Sequence, residues 1–186
     1  MSDPFWKLFE EHAHVPDGDT VGFVDLLYEE LVNIDPNLVI EISEPDDTGS
    51  REFILSANGQ VELFETVEKL IASAPPTPLW QFLALRPARG FDFVLSFDGK
   101  EISPATWKFR PVATITGDEG VEILIPPPKR KISDDVLALV IEVGVGERAF
   151  AELGHLSYTQ SMKDDDFGDW FPIAQLPGYL NEPEAS

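Results

Sequence analysis

Residues 51–90, REFILSANGQVELFETVEKLIASAPPTPLWQFLALRPARG, constrain the fold more than any other stretch of this chain. Phe53, Ile54 and Leu55 form a short apolar run, and Asn58-Gly59 follows as a turn signal, because both residues tolerate positive φ. Leu63, Phe64, Val67, Leu70 and Ile71 then recur at three- and four-residue steps. Glu62, Glu65, Glu68 and Lys69 fall between them, a pattern that predicts a half-buried helix. Pro75, Pro76 and Pro78 stop that helix, since proline lacks the donor a further turn requires. Trp80 to Leu85 is apolar nearly throughout, which predicts a strand covered on both faces in the middle of a sheet.

The flanking segments extend this unit. Pro4 to Ala13 predicts a short helix that buries Phe5, Trp6, Leu8 and Phe9. After a loop, Asp19 or Thr20 caps a second helix with Val24, Leu27, Tyr28, Leu31 and Ile34 on one stripe. Leu38, Ile40 and Ile42 alternate as a strand, and the polar turn from Pro45 to Ser50 makes it a hairpin with the central one. Further on, 91–97 and 107–115 read as strands linked through Asp98-Gly99-Lys100, and Val121 to Ile125 as a further hairpin partner. Ser133, Asp134 and Asp135 supply a cap and favourable negative charge for a buried helix over 136–143. A last strand is expected near 156–162 and a terminal piece over 173–180.

The reading is one α+β domain over 1–186, with a mixed, mainly antiparallel sheet and helices packed on its faces. It comprises N-terminal helices over 4–34, sheet and crossover helix over 37–126, buried helix and last strand over 133–162, and a tail over 163–186. No internal sequence repeat is present.

An apolar fraction of 43%, with 13 Phe, 4 Trp and 3 Tyr, is that of a folded globule rather than a disordered chain. Cysteine is absent, which removes disulfides and thiolate metal sites and makes a reducing cytoplasm the expected location. No secretion signal is read at the acidic N-terminus, and no apolar run approaches the roughly 18 residues of a membrane span.

The formal charge of -21 argues against unassisted binding to nucleic acid or an anionic membrane. It is unevenly spread. Residues 86–131 hold eight of the 13 basic residues and six acids, so an anionic ligand is expected to meet that segment.

Several motifs suggest chemistry without supplying the rest of it. Leu139 to Ala149 resembles the first nucleotide loop of methyltransferases that use S-adenosylmethionine. That motif opens its fold from a strand, whereas this one follows a helix cap and has only about 40 residues after it. Gly144 and Gly146 are therefore read as helix-end or packing glycines, and no cofactor is implied. His12 and His14 lack the four-residue step of a helical zinc site, and His155 stands alone. The acidic stretches Asp17-Gly18-Asp19, Asp46-Asp47 and Asp164-Asp165-Asp166 do not follow calcium-loop spacing, and no metal site is assigned. Neither a nucleophile elbow nor a distinct acid/base couple is present, so no catalytic residue is named.

Arg86 and Arg89 are the candidate ligand-binding residues, because they emerge where a strand ends and arginine binds carboxylate or phosphate bidentately. Lys129-Arg130-Lys131 is read as a solvated basic loop, and Trp6, Trp80, Trp107 and Trp170 as packing residues.

The segments FWKLFEEH, DLLYEELVNIDPNLVIEIS, REFILSANGQVELFETVEKLIASAP and PLWQFLALRPARG resemble a family of uncharacterised bacterial proteins with a domain of unknown function. The resemblance covers the first half of the chain, with 121–162 matching more loosely. It implies a bacterial cytoplasmic α+β domain and transfers no active-site residue. The leading expectation is a non-enzymatic, acidic protein-binding or regulatory module for a basic partner. The alternative is a protein or enzyme that binds a small anionic ligand in a cleft at Arg86 and Arg89.

Overall fold

The computed structural model describes residues 4–13, 20–113, 119–126, 132–160 and 169–181. The fold is α+β, and the chain divides into two compact units, Met1–Arg86 and Pro87–Ser186. The boundary falls inside the stretch that the sequence reads as one sheet-and-crossover segment. In place of one mixed sheet there are three small ones, in which antiparallel pairings outnumber parallel ones.

The first unit runs α1 (Pro4–His12), α2 (Thr20–Ile34), β1 (Val39–Ile42), β2 (Arg51–Ser56), α3 (Phe64–Ala72) and β3 (Trp80–Ala84). β1 and β2 form the expected antiparallel hairpin, and α3 carries the chain over to β3, which lies parallel to β2. The sheet order β1-β2-β3 makes β2 the central strand and β3 an edge. The expectation of β3 as a covered middle strand is thus corrected. Its apolar run arises because Trp80 and Phe82 face the core while Gln81 points away, exposed.

That core is aromatic. Phe9 packs edge-on against Phe53, Trp80 and Phe82 at centroid distances of 5.2–5.4 Å, and Trp6 meets Phe5 and Phe82 at 5.0 Å. Such tilted and T-shaped pairs each contribute about 0.5–1.5 kcal/mol beyond simple burial. Trp6 also ties α1 to the end of α3: its Nε1 donates to the Leu70 carbonyl (2.8 Å) and to Ser73 Oγ (3.1 Å). The helix α3 buries Phe64, Val67 and Leu70 as the periodicity predicts, and Asn58 and Gly59 both take positive φ in the turn before it. The buried stripe of α2 is Phe23, Leu27 and Leu31, shifted from the expected one; Ile34 is exposed.

The second unit begins with a two-residue hairpin, β4 (Leu95–Phe97) and β5 (Lys100–Ile102), turning at Asp98-Gly99 with positive φ at both residues. That turn therefore closes a small separate sheet and does not lead into the long strand, as the sequence reading had it. β6 (Lys108–Ala113) and β7 (Glu119–Leu124) form the next hairpin. α4 (Asp134–Val145) and α5 (Glu147–Ala151) then lead to β8 (His155–Thr159), which is parallel to β7. β9 (Phe171–Pro172) pairs with the other edge of β6, and α6 (Leu176–Asn181) follows.

α4 begins with the predicted cap, Ser133 Oγ accepting from the Val136 N–H, and buries Val136, Leu137, Val140, Ile141, Gly144 and Val145. The stretch before Gly144 is thus helix and not the strand a nucleotide loop requires. Gly146 ends it with φ +86°. Gly144 admits the ring of Phe91, which a methyl group at that position would overlap.

Both units carry the same sequence of pairings: an antiparallel hairpin, a helix, then a third strand parallel to the second, in the orders β1-β2-β3 and β6-β7-β8. The repeat is topological. No sequence repeat accompanies it, because α3 is amphipathic whereas α4 is apolar on most of its circumference.

Candidate functional site

Arg86 and Arg89 belong to different compact units. Arg86 is half-buried, and its Nε donates to Glu41 Oε1 at 2.6 Å, so the strand-end guanidinium is held by a carboxylate of β1. Arg89 is exposed, and its backbone N–H donates to the Val143 carbonyl near the end of α4.

A small pocket in the first unit lies between the end of α1, the start of α2 and the sheet. It is lined by His12, Thr20, Phe23, Ile42, Arg51 and Trp80. Its volume is about 20 Å³, room for a water molecule rather than an organic ligand. His12 Nδ1 bonds to the Leu8 carbonyl within its own helix, and Arg51 Nη1 donates to the Ser43 carbonyl, so both side chains are tied into local structure.

The turn holding Asp46-Asp47 is organised from within. Asp46 Oδ1 accepts from Thr48 Oγ1 (2.7 Å), the Thr48 N–H (2.8 Å) and the Ser50 N–H (2.9 Å). The Thr48 hydroxyl, followed by these backbone donors, holds the Asp46 carboxyl below its ordinary range. Among the described residues no group of three or more His, Cys, Asp or Glu is placed to hold a metal ion. His14, Asp17 to Asp19, Lys129 to Lys131 and Asp164 to Asp166 lie outside the described residues.

Carboxylates dominate the surface of the first unit, which holds 17 acidic and four basic side chains. Glu10 and Glu11 on α1, Asp25 and Glu29 on α2, Glu62, Glu65 and Glu68 on and before α3, and Glu44, Asp46 and Asp47 in the hairpin turn are all exposed. Two i,i+4 ion pairs, Lys7–Glu11 and Lys69–Glu65, neutralise little of this. The Lys69 ammonium hydrogen-bonds Glu65 and attracts it electrostatically, which lowers that carboxyl from its usual value.

The second unit has one polar sheet face. Lys108, Arg110 and Val112 of β6 stand opposite Leu124, Glu122 and Gly120 of β7, which align with Thr159, Ser157 and His155 of β8. The alternate residues Phe109, Val121, Ile123, Leu156 and Tyr158 face the core. Arg110 donates to Glu122 Oε2 through Nε (2.8 Å) and Nη2 (2.6 Å), and its guanidinium lies 4.6 Å over the Trp170 ring. The sequence reading placed Trp170 among the packing residues. Its proximity to Arg110, 60 positions earlier, follows only from the β6–β9 register.

Compared with known protein families, with curated proteins and with solved structures, the chain matches none. No helix of the described residues is long and apolar enough to cross a membrane.

Proposed function

We propose that this chain is a non-enzymatic module of a bacterial cytoplasm that binds a basic protein on the acidic surface of its first unit, in a regulatory or inhibitory role. The observation that carries this reading is the carboxylate surface on α1, α2, α3 and the β1–β2 turn, on a unit of net charge -13 from 17 acids and four bases. A surface of one sign raises the encounter rate with an oppositely charged partner by about 10- to 1000-fold at low salt, and excludes anionic competitors. Each exposed pair adds only about 0.2–1 kcal/mol, so many carboxylates acting together suit steering better than any single one suits catalysis.

Native mass spectrometry of the full chain, isolated gently from its own cells, tests the reading. A co-purifying basic polypeptide supports it. A retained small anion lost on Arg86→Ala/Arg89→Ala substitution overturns it in favour of an anion cleft at those arginines.

A further inference from the structure

We propose that the Arg110–Trp170 corner of the second unit's sheet binds a carboxylate. The corner is built by register: β9 pairs with β6 through Lys108↔Pro172 and Phe109↔Phe171, which brings the preceding Trp170 beside Arg110. Arg110 is braced from the other side by Glu122, its direct cross-strand partner. The guanidinium therefore rests on the indole face, and the ring's Nε1–H points along the ring plane away from that stack.

This Nε1–H is the observation that points to a ligand. It is buried and, among the described residues, has no hydrogen-bond partner, whereas the Nε1–H of Trp6 has two. Buried indole donors ordinarily find an acceptor, and an unmet one costs free energy that an incoming oxygen recovers. Local charge selects the kind of oxygen. Lys108, Arg110 and Glu122 on this face sum to one positive charge in a chain of net -21. A singly charged carboxylate matches that balance, and a doubly charged phosphate does not. Nε1 itself is covered while the ring is only half-buried, so an acceptor reaches it as the Trp170 ring turns. Binding is coupled to that rotamer change.

The test uses the intact chain labelled with ¹⁵N. Its four tryptophans give four indole cross-peaks, and Trp170→Phe removes and so assigns one. Sodium acetate and a terminally capped peptide with a single glutamate are titrated separately at constant ionic strength, with sodium chloride as the control. The proposal expects the Trp170 indole proton to move downfield saturably while that of Trp6 stays fixed, and the affinity to fall at least tenfold in Arg110→Lys. The Trp107 peak, from the core of the same unit and assigned by its own Trp107→Phe variant, keeps its dispersed position and shows that the variant is folded. Saturation by the glutamate peptide alone assigns the carboxylate to a polypeptide side chain, and saturation by acetate to a free acid. A Trp170 peak that moves no further with either carboxylate than with chloride overturns the proposal, as does an unchanged affinity in Arg110→Lys.

Discussion

Replacing Gly144 by alanine isolates what that glycine does. In most helices Gly→Ala is favourable by about 1 kcal/mol, because alanine loses less backbone entropy. Gly144 lies inside α4 and is buried, and a Cβ there would overlap three atoms of the Phe91 ring, itself 3% exposed. The ring is enclosed by the core of the second unit and has little room to retreat. Overpacking of this kind costs roughly 1–3 kcal/mol. Set against the propensity gain of about 1 kcal/mol, Gly144→Ala is expected to destabilise by ~0–2 kcal/mol. The sign should invert once the ring is gone. In a Phe91→Ala background, itself costing about 3–5 kcal/mol, Gly144→Ala should stabilise by up to ~1 kcal/mol. Urea unfolding of the four proteins closes the double-mutant cycle, with an expected coupling of about 1–3 kcal/mol. Equal effects in both backgrounds would refute the packing role.

Other consequences are equally direct. Gly120→Ala should destabilise by about 1–3 kcal/mol or more, because its Cβ would overlap the His155 backbone carbonyl across the β7–β8 pair, where no side chain can yield; thermal unfolding reads this. Trp6→Phe should cost about 1–3 kcal/mol through the lost donation to Leu70 and Ser73 and the smaller ring, read by denaturant unfolding at constant m-value. Asp46 has a lowered carboxyl in the folded chain, so its contribution to stability is present above its unfolded value of about 4 and is lost as pH falls through the folded one. NMR titration should show this midpoint below that of an aspartate without such hydrogen bonds, and Thr48→Ala should raise it.

Much of the first unit was legible because its signals are local. The Asn58-Gly59 turn, the three-and-four spacing of α3 and the proline stop each depend on neighbours in sequence, and each is present. The Ser133 cap fixed α4 as helix and so disposed of the nucleotide-loop likeness. What escaped the sequence depends on pairing at a distance. An apolar strand reads alike whether one face or two are covered, so β3 looked central although only its Trp80 and Phe82 face is packed among aromatic rings. The Asp98-Gly99 turn was visible, but its partner strand was β5 and not β6, because a three-residue strand carries almost no periodic signal. The repeated pairing order of the two units was hidden because its two helices bury different fractions of their surface. The Arg110–Trp170 stack required a register between residues 60 positions apart, which no local pattern encodes. Arg86 stood at a strand end as read, with Glu41 as a cross-sheet partner the spacing did not reveal.

The measurement that bears most directly on the central claim is the association rate of the co-purifying polypeptide as a function of salt. It is taken for the unaltered chain and for one carrying Asp25→Lys, Glu29→Lys, Glu62→Lys and Glu68→Lys, all at exposed positions. Steering by the acidic surface predicts a rate that falls steeply between about 0.01 and 0.15 M salt, as the screening length shrinks from roughly 30 to 8 Å. It also predicts a rate at least tenfold slower for the reversed chain at the lowest salt, with little difference between the two at the highest. A rate that is flat with salt and the same in both chains would contradict the account.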